Sequence, residues 1–314
     1  MPLSPDLIQA KQVLSARLLT AGLRGGTLWR PPMLTVAAAV ASAGRNVHAV
    51  GIGAKITNGQ ETSTSCIRIY VTQKIALSLL PQRDQLPEKI DGVPTDVIEA
   101  PPAIAALPRG RKNKKVVRFA AVSPTAVASS AATAGTTCTD QRQARQRPVV
   151  AGISTAHHDV TAGTLGYFCR STRHGDDPSL VCVLSNNHIY SNLNRAIVGD
   201  PLYQPGPIDG GMPADHFADF LRTATLQLDG TTPNRVDAAL GTILPSVPYD
   251  EQVCTIGKIS GTTRALEKMG VRKHGRTTGY AEGSVSDELI DAVVAMDPND
   301  PRADVLADLE IQLL

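Results

Sequence analysis

Aromatic residues are scarce. Phe, Trp and Tyr make up 4% of the 314 residues, and tryptophan occurs once. The core is therefore expected to be built from Val, Leu, Ile and Ala rather than from stacked rings. Cysteine is scarce too. Cys66, Cys138, Cys169, Cys182 and Cys254 are odd in number and include no CxxC pair. That pattern argues against a disulfide-stapled secreted scaffold and suits a reducing, cytoplasmic setting. No run of about 18 apolar residues occurs, so no membrane span is expected. The N-terminus carries Asp6, Lys11 and Arg17 where a secretory signal needs an uncharged apolar stretch. Net charge is +2, which selects neither for nor against a polyanionic partner.

What is plentiful is turn chemistry, with 26 glycines and 22 prolines among 42% hydrophobic residues. This is the composition of many short strands joined by turns. The chain divides into five stretches. Residues 1–30 hold a helix, with Ser4 as N-cap, Pro5 at the first helical position and Asp6 in the first turn. Leu7, Ala10, Leu14 and Leu18 fall on one face, and Gly22 is a stop signal. Residues 31–107 read as a small α/β domain, with alternating Val50, Ile52, Ala54 and Ile56, a turn at Asn58-Gly59, and strands over Cys66–Val71 and Gly92–Ile98. Leu77–Leu86 reads as a single helical turn. Nothing in this domain has catalytic spacing.

Residues 108–146 read as a linker. It joins a basic run, Arg109–Arg118, to an Ala/Ser/Thr-rich stretch, Ala120–Thr137. No interleaved aromatics accompany the basic run, so no nucleic-acid partner is expected. From Arg147 strands follow closely: Val149–Ser154, Gly163–Arg170, Leu180–Ser185, Thr225–Leu228, Arg235–Ile243 and Val253–Ile259. Ala214–Thr223 is the weak helical candidate. Further strands are expected over Val271–Arg276, Thr278–Val285, Ile290–Met296 and Asp308–Leu314. That density of short strands indicates a sandwich or barrel.

Seven histidines occur, and six read as structural or solvated. His188 differs in its company. It follows the apolar strand Leu180–Ser185 through Asn186-Asn187. Asp237 lies 49 residues further on, between apolar neighbours. A carboxylate that orients an imidazole explains both. In the Ser-His-Asp template of serine proteases the histidine precedes the aspartate by ~45 residues.

These motifs carry a resemblance. Arg147-Pro148, Gly152-Ile153-Ser154, Thr161–Gly166, Leu184-Ser185-Asn186-Asn187-His188, Gly199-Asp200-Pro201, Gln204-Pro205-Gly206, Val236-Asp237-Ala238-Ala239 and Lys273–Gly279 resemble the trypsin-like, chymotrypsin-fold serine peptidases. They are most similar to a bacterial branch related to the plant narrow-leaf peptidases. Ala49–Lys55 and Ile90–Val97 resemble that branch too, so the likeness spans most of the chain. It implies a mainly β fold: a small α/β N-terminal domain, a first β-barrel over 147–248 and a partial second barrel over 249–314. It also implies a protein or peptide substrate, with His188 as general base and Asp237 as its orienting acid. No cofactor or metal is implied. The family's nucleophile motif, Gly-Asp-Ser-Gly, is absent from the sequence. The template spacing of ~90 residues beyond the aspartate falls past Leu314.

Ser260 and Ser284 lack the setting of a nucleophile. Cys182 lies too near His188 along the strand to reach it. Cys169 and Cys182 are expected to face one another as free thiols, with a disulfide or a zinc site shared with His188 as minor options. The sequence therefore leaves two readings: an endopeptidase whose nucleophile lies beyond this chain, or a degenerate peptidase that serves as a binding or scaffold module. Oligomeric state is not legible.

Overall fold

The computed structural model describes residues 3–23, 46–104, 141–229, 232–295, 304–309 and 312–313. Both the basic run and the Ala/Ser/Thr-rich stretch lie outside the described residues. The fold is mainly β.

Helix α1 (Pro5–Leu23) starts as expected, with the Leu7 amide donating to Ser4 Oγ at 3.3 Å. Strands β1 (Val47–Thr57) and β2 (Gln60–Val71) form a hairpin. Its turn uses Asn58 and Gly59 at φ 53° and 77°, left-handed values that these two residue types adopt readily. After two short 3₁₀ turns come β3 (Lys89–Ile90), β4 (Val93–Glu99) and β5 (Ala103–Ile104). Leu7, Ala10, Leu14 and Leu19 of α1 pack on Val50, Ile52, Ile67, Ile69 and Val71, so the helix covers one sheet face.

The next strands are β6 (Val149–Ala151), β7 (Ser154–His157), β8 (Gly163–Thr164), β9 (Tyr167–Arg170) and β10 (Val181–Ser185). Helix α2 (Asn187–Tyr190) is a single turn, followed by β11 (Pro201–Tyr203), β12 (His216–Thr223) and β13 (Ala239–Ile243). Strands β7 to β13 form a seven-stranded antiparallel sheet in the order β8-β7-β11-β12-β13-β10-β9. Its two edge strands are consecutive in the chain. The Leu165 amide bonds to Ile153 O, and the next amide, Gly166, bonds to Leu184 O. The backbone thus crosses from one edge to the other, which curls the sheet around a core of Ile153, Leu165, Tyr190, Leu202 and Phe217. A curled sheet with joined edges is compatible with a β-barrel.

The chain continues through β14 (Tyr249–Val253), β15 (Thr263–Arg264), β16 (Gly270–Gly275), β17 (Gly279–Ser284), β18 (Glu288–Ala295), β19 (Asp304–Leu309) and β20 (Gln312–Leu313). Residues 249–314, expected as one partial barrel, divide instead. Strand β14 pairs with β6, β16 with β17 and β15 with β20. Strands β18 and β19 join the N-terminal sheet, in the order β19-β18-β1-β2-β4-β3, with β5 also on β18. The physical reason is charge as well as pattern. Ala292 and Val293 are buried there, Asp291 makes an ion pair with Lys11 of α1, and Asp287, just before β18, pairs with Arg68 of β2.

Four other expectations need correction; one is the strand expected over Val253–Ile259, because β14 ends at Val253 and residues 254–256 form a turn. Ala214–Thr223 is not helical. Pro213–Asp215 makes one 3₁₀ turn and His216–Thr223 is a strand held between β11 and β13, with Phe217, Ala218 and Phe220 buried. Thr225–Leu228 forms no strand, and the strand expected from Arg235 begins only at Ala239. Asp237 therefore sits in the connection ahead of β13, not within the strand.

Two buried imidazoles make stability pH-dependent. His48, on β1, bonds to Ala100 O at 2.9 Å, and His157 ends β7; burial lowers the pKa of both below the usual 6.5. Below that value the unfolded chain binds more protons than the folded one. Stability is then full above pH ~6.5 and falls as the pH drops through it. The lowered carboxylates, such as Asp200, act only in a more acidic window, below ~3.9. Urea midpoints should fall between pH ~7 and ~5, and fall less in His157→Gln. Identical midpoints across that window would refute the assignment.

Candidate active site

The site is built where β10 ends. Val181, Cys182 and Val183 are buried in β10, and the chain then turns once through α2. Two side chains anchor that turn from below. Ile189 fills the space left by the missing side chain of Gly163, where a Cβ would lie 2.5 Å from it. Tyr190 is fully buried, and its hydroxyl donates to Thr155 Oγ1 at 3.2 Å, which donates in turn to Tyr203 O at 2.9 Å. With both following residues fixed, His188 is held at the rim with a side chain 17% exposed.

The structure brings His188 and Asp237 together. His188 Nδ1 lies 2.6 Å from Asp237 Oδ2, and the His188 backbone amide donates to Oδ1 at 3.3 Å. A carboxylate accepts hydrogen bonds, so Nδ1 carries the hydrogen. Nε2 is left with its lone pair. The two-point grip fixes both the tautomer and the ring plane, and this arrangement lets the imidazole accept a proton at Nε2 while a negative charge steadies the cation formed.

The remaining candidates fare differently. Cys169 and Cys182 do stand opposite each other on β9 and β10, and both are free thiols whose pKa burial raises. Cys182 stands opposite Thr242 of β13, and no zinc grouping with His188 exists among the described residues. Cys254 is disulfide-bonded, which the reading of the five cysteines as suiting a reducing setting did not anticipate. Such a bond is at home in an oxidising compartment. No helix among the described residues is long and apolar enough to cross a membrane.

A different trio does cluster: His157, His158 and Asp200 place ligand atoms within 4.8 Å of one another. The hydrogen bonds do not suit a metal. The Asp159 amide donates to His157 Nδ1 at 3.1 Å, so that nitrogen is unprotonated and Nε2 carries the hydrogen, which it gives to Asp200 Oδ2 at 3.1 Å. A ligating imidazole needs the opposite tautomer, with its outer N–H donated to an acceptor. His157 is a buried structural histidine.

Sequence reasoning missed the polar residues that surround the dyad. Asn186 Nδ2 donates to Asp237 O at 3.1 Å and lies 3.4 Å from Oδ2. Asn187 is wholly buried and bonded on all sides. The consecutive amides before a histidine, of which Asn187 is buried and Asn186 exposed, are the signal that was available.

No protein-family model matches the chain, and no curated protein matches it significantly.

Proposed function

We propose that this chain carries the base–acid half of a serine-peptidase site of the trypsin-like kind, acting on a protein or peptide. The observation that carries the reading is the grip of Asp237 on both the ring and the backbone of His188. The curled antiparallel sheet that bears both residues, and the order histidine then aspartate, support it. In this reading His188 Nε2 removes the proton of an attacking hydroxyl, Asp237 stabilises the imidazolium, and an acyl-enzyme follows. The nucleophilic serine is not in the Gly-Asp-Ser-Gly setting anywhere in these residues, so the chain as it stands does not complete the reaction.

A second reading is a peptidase-derived binding or scaffold module. It is favoured by the capture of β18 and β19 in the N-terminal sheet, which leaves β16 and β17 as an isolated pair. The cytoplasmic setting proposed from composition has the Cys254 disulfide against it.

A fluorophosphonate serine probe tests the first reading. The 314-residue chain should remain unlabelled. Labelling that vanishes in His188→Ala would place a working serine within the chain. Labelling that persists in His188→Ala would remove His188 from the role of base.

A further inference from the structure

We propose that Asn187 and Asn194 are positioning residues for the His188–Asp237 pair. This rests on the peptidase-type reading of that pair. The two residues of the pair come from segments distant in sequence; the β10–β13 register brings those segments together as far as Ser185 opposite Ala239 but stops short of both residues and does not itself fix the two side chains. A ring of side-chain hydrogen bonds does. The two hydrogens of Asn187 Nδ2 are shared among three acceptors within reach, Asn194 Oδ1 at 2.7 Å, Thr223 Oγ1 at 2.7 Å and Ala224 O at 2.8 Å. Thr223 Oγ1 passes the connection on by donating to Ala238 O at 2.9 Å, one residue from Asp237.

Asn194 closes the other half of the ring. Its amide mimics a strand partner: Nδ2 donates to Leu226 O at 2.8 Å, and Oδ1 accepts from the Leu226 amide at 3.0 Å. Its own backbone amide returns to Asn187 Oδ1 at 3.3 Å. The segment that follows the histidine is thereby fastened to the segment that leads to the aspartate. Asn186, bonded to Asp237 directly, completes the enclosure.

The backbone at this point is unusual enough to need such a fastening. Asn192, Leu193 and Asn194 have φ of 47°, 57° and 66°, three left-handed residues in a row. L-residues visit that region singly, and only asparagine and aspartate do so with ease. A strained run persists when its surroundings over-determine it. Here the surroundings are the two asparagine amides and a small apolar seat in which Leu193 packs with Leu226, Leu228 and Val294 of β18. The N-terminal sheet therefore touches the loop that sets the dyad.

The test separates the side chain from the backbone. Asn194→Gly keeps the left-handed conformation, which glycine adopts freely, and deletes only the amide. The readout is the Nδ1–H proton of His188 in nuclear magnetic resonance, recorded on the whole chain and assigned by its loss in Asp237→Ala. The expected result is that the signal, present in the parent, is lost to solvent exchange in Asn194→Gly and in Thr223→Val. Ser154→Ala, which deletes a buried hydroxyl bonded to Asp209 and Gly206 away from the ring, should leave it in place. A parent signal that survives unchanged in both ring variants would overturn the positioning role. A parent without the signal would overturn the base–acid reading itself, so the two failures are distinguishable. Should one ring variant fail to fold, the other carries the test.

Discussion

Replacing Arg68 by alanine should destabilise the N-terminal sheet by about 3–5 kcal/mol, the range seen when one partner of a buried ion pair is removed. Arg68 is 3% exposed. Its Nε donates to Ala54 O at 2.9 Å and its terminal nitrogens reach Ser286 O at 3.1 Å, Glu61 Oε1 at 3.0 Å and Asp287 Oδ2 at 3.4 Å. Burial alone would lower the pKa of the guanidinium, yet Asp287 and Glu61 hold it above its ordinary value.

The side chain thus joins β1, β2 and the residues entering β18. Gly53 has no Cβ because one would lie 2.8 Å from the guanidinium carbon. Removing the cation leaves Asp287 buried, with only Tyr70 and Ser286 hydroxyls donating to it. The cost comes from that stranded charge more than from the lost attraction, so Arg68→Met with Asp287→Leu should recover much of it. Urea denaturation of the three proteins checks this. A loss under about 1 kcal/mol in Arg68→Ala, the scale of an exposed pair, would show that β18 does not depend on the ion pair.

The second large effect is expected at Gly211. A Cβ there would lie 2.0 Å from Pro205 O, 2.9 Å from Pro205 C and 3.0 Å from Gly206 C. All three are backbone atoms, so no side chain can swing aside. Gly211→Ala should cost about 2–3 kcal/mol, the upper range for overpacking. The loop it would force open holds Asp209, which receives Ser154 Oγ at 2.6 Å and two nitrogens of Arg276 at 2.8 and 2.5 Å.

The adjacent Gly210 provides the control. Its φ is 95°, but nothing lies within 4 Å of its missing Cβ. Gly210→Ala therefore meets only conformational strain, about 1–2 kcal/mol. Thermal or urea unfolding should rank Gly211→Ala as the more damaging. The reverse order would mean that the turn yields easily and that close backbone approach is not what selects glycine there.

The loop matters to the site indirectly. Arg276 belongs to the β16–β17 hairpin, and its amide also bonds to Thr164 Oγ1 at 3.0 Å. Thr164 O accepts from Ser185 Oγ at 2.8 Å, two residues before the asparagine preceding His188. His274 of the same hairpin bonds to Gly152 O at 2.8 Å. The hairpin is thus seated on the curled sheet by polar contacts beneath the histidine turn.

What the sequence by itself determined is what short stretches of chain decide through their own chemistry. The Ser4 cap, the Asn58-Gly59 hairpin and the strand over Val181–Ser185 were all legible, because turn residues and side-chain periodicity act within a few residues. The pairing of His188 with Asp237 was legible too, from order and spacing.

The tertiary structure alone decided where strands find partners. Phe217, Ala218 and Phe220, which do not alternate strictly, became a strand because β11 and β13 lie on either side. Strand β18 lies in the N-terminal sheet rather than in the expected second barrel: Ala292 and Val293 are buried there, Lys11 pairs with Asp291, and Arg68 pairs with Asp287 just ahead of the strand. The asparagine ring was invisible for the same reason. A buried amide must satisfy its donors wherever acceptors lie, and the acceptors of Asn187 come from residues 194, 223 and 224, whose proximity only the packed sheet creates.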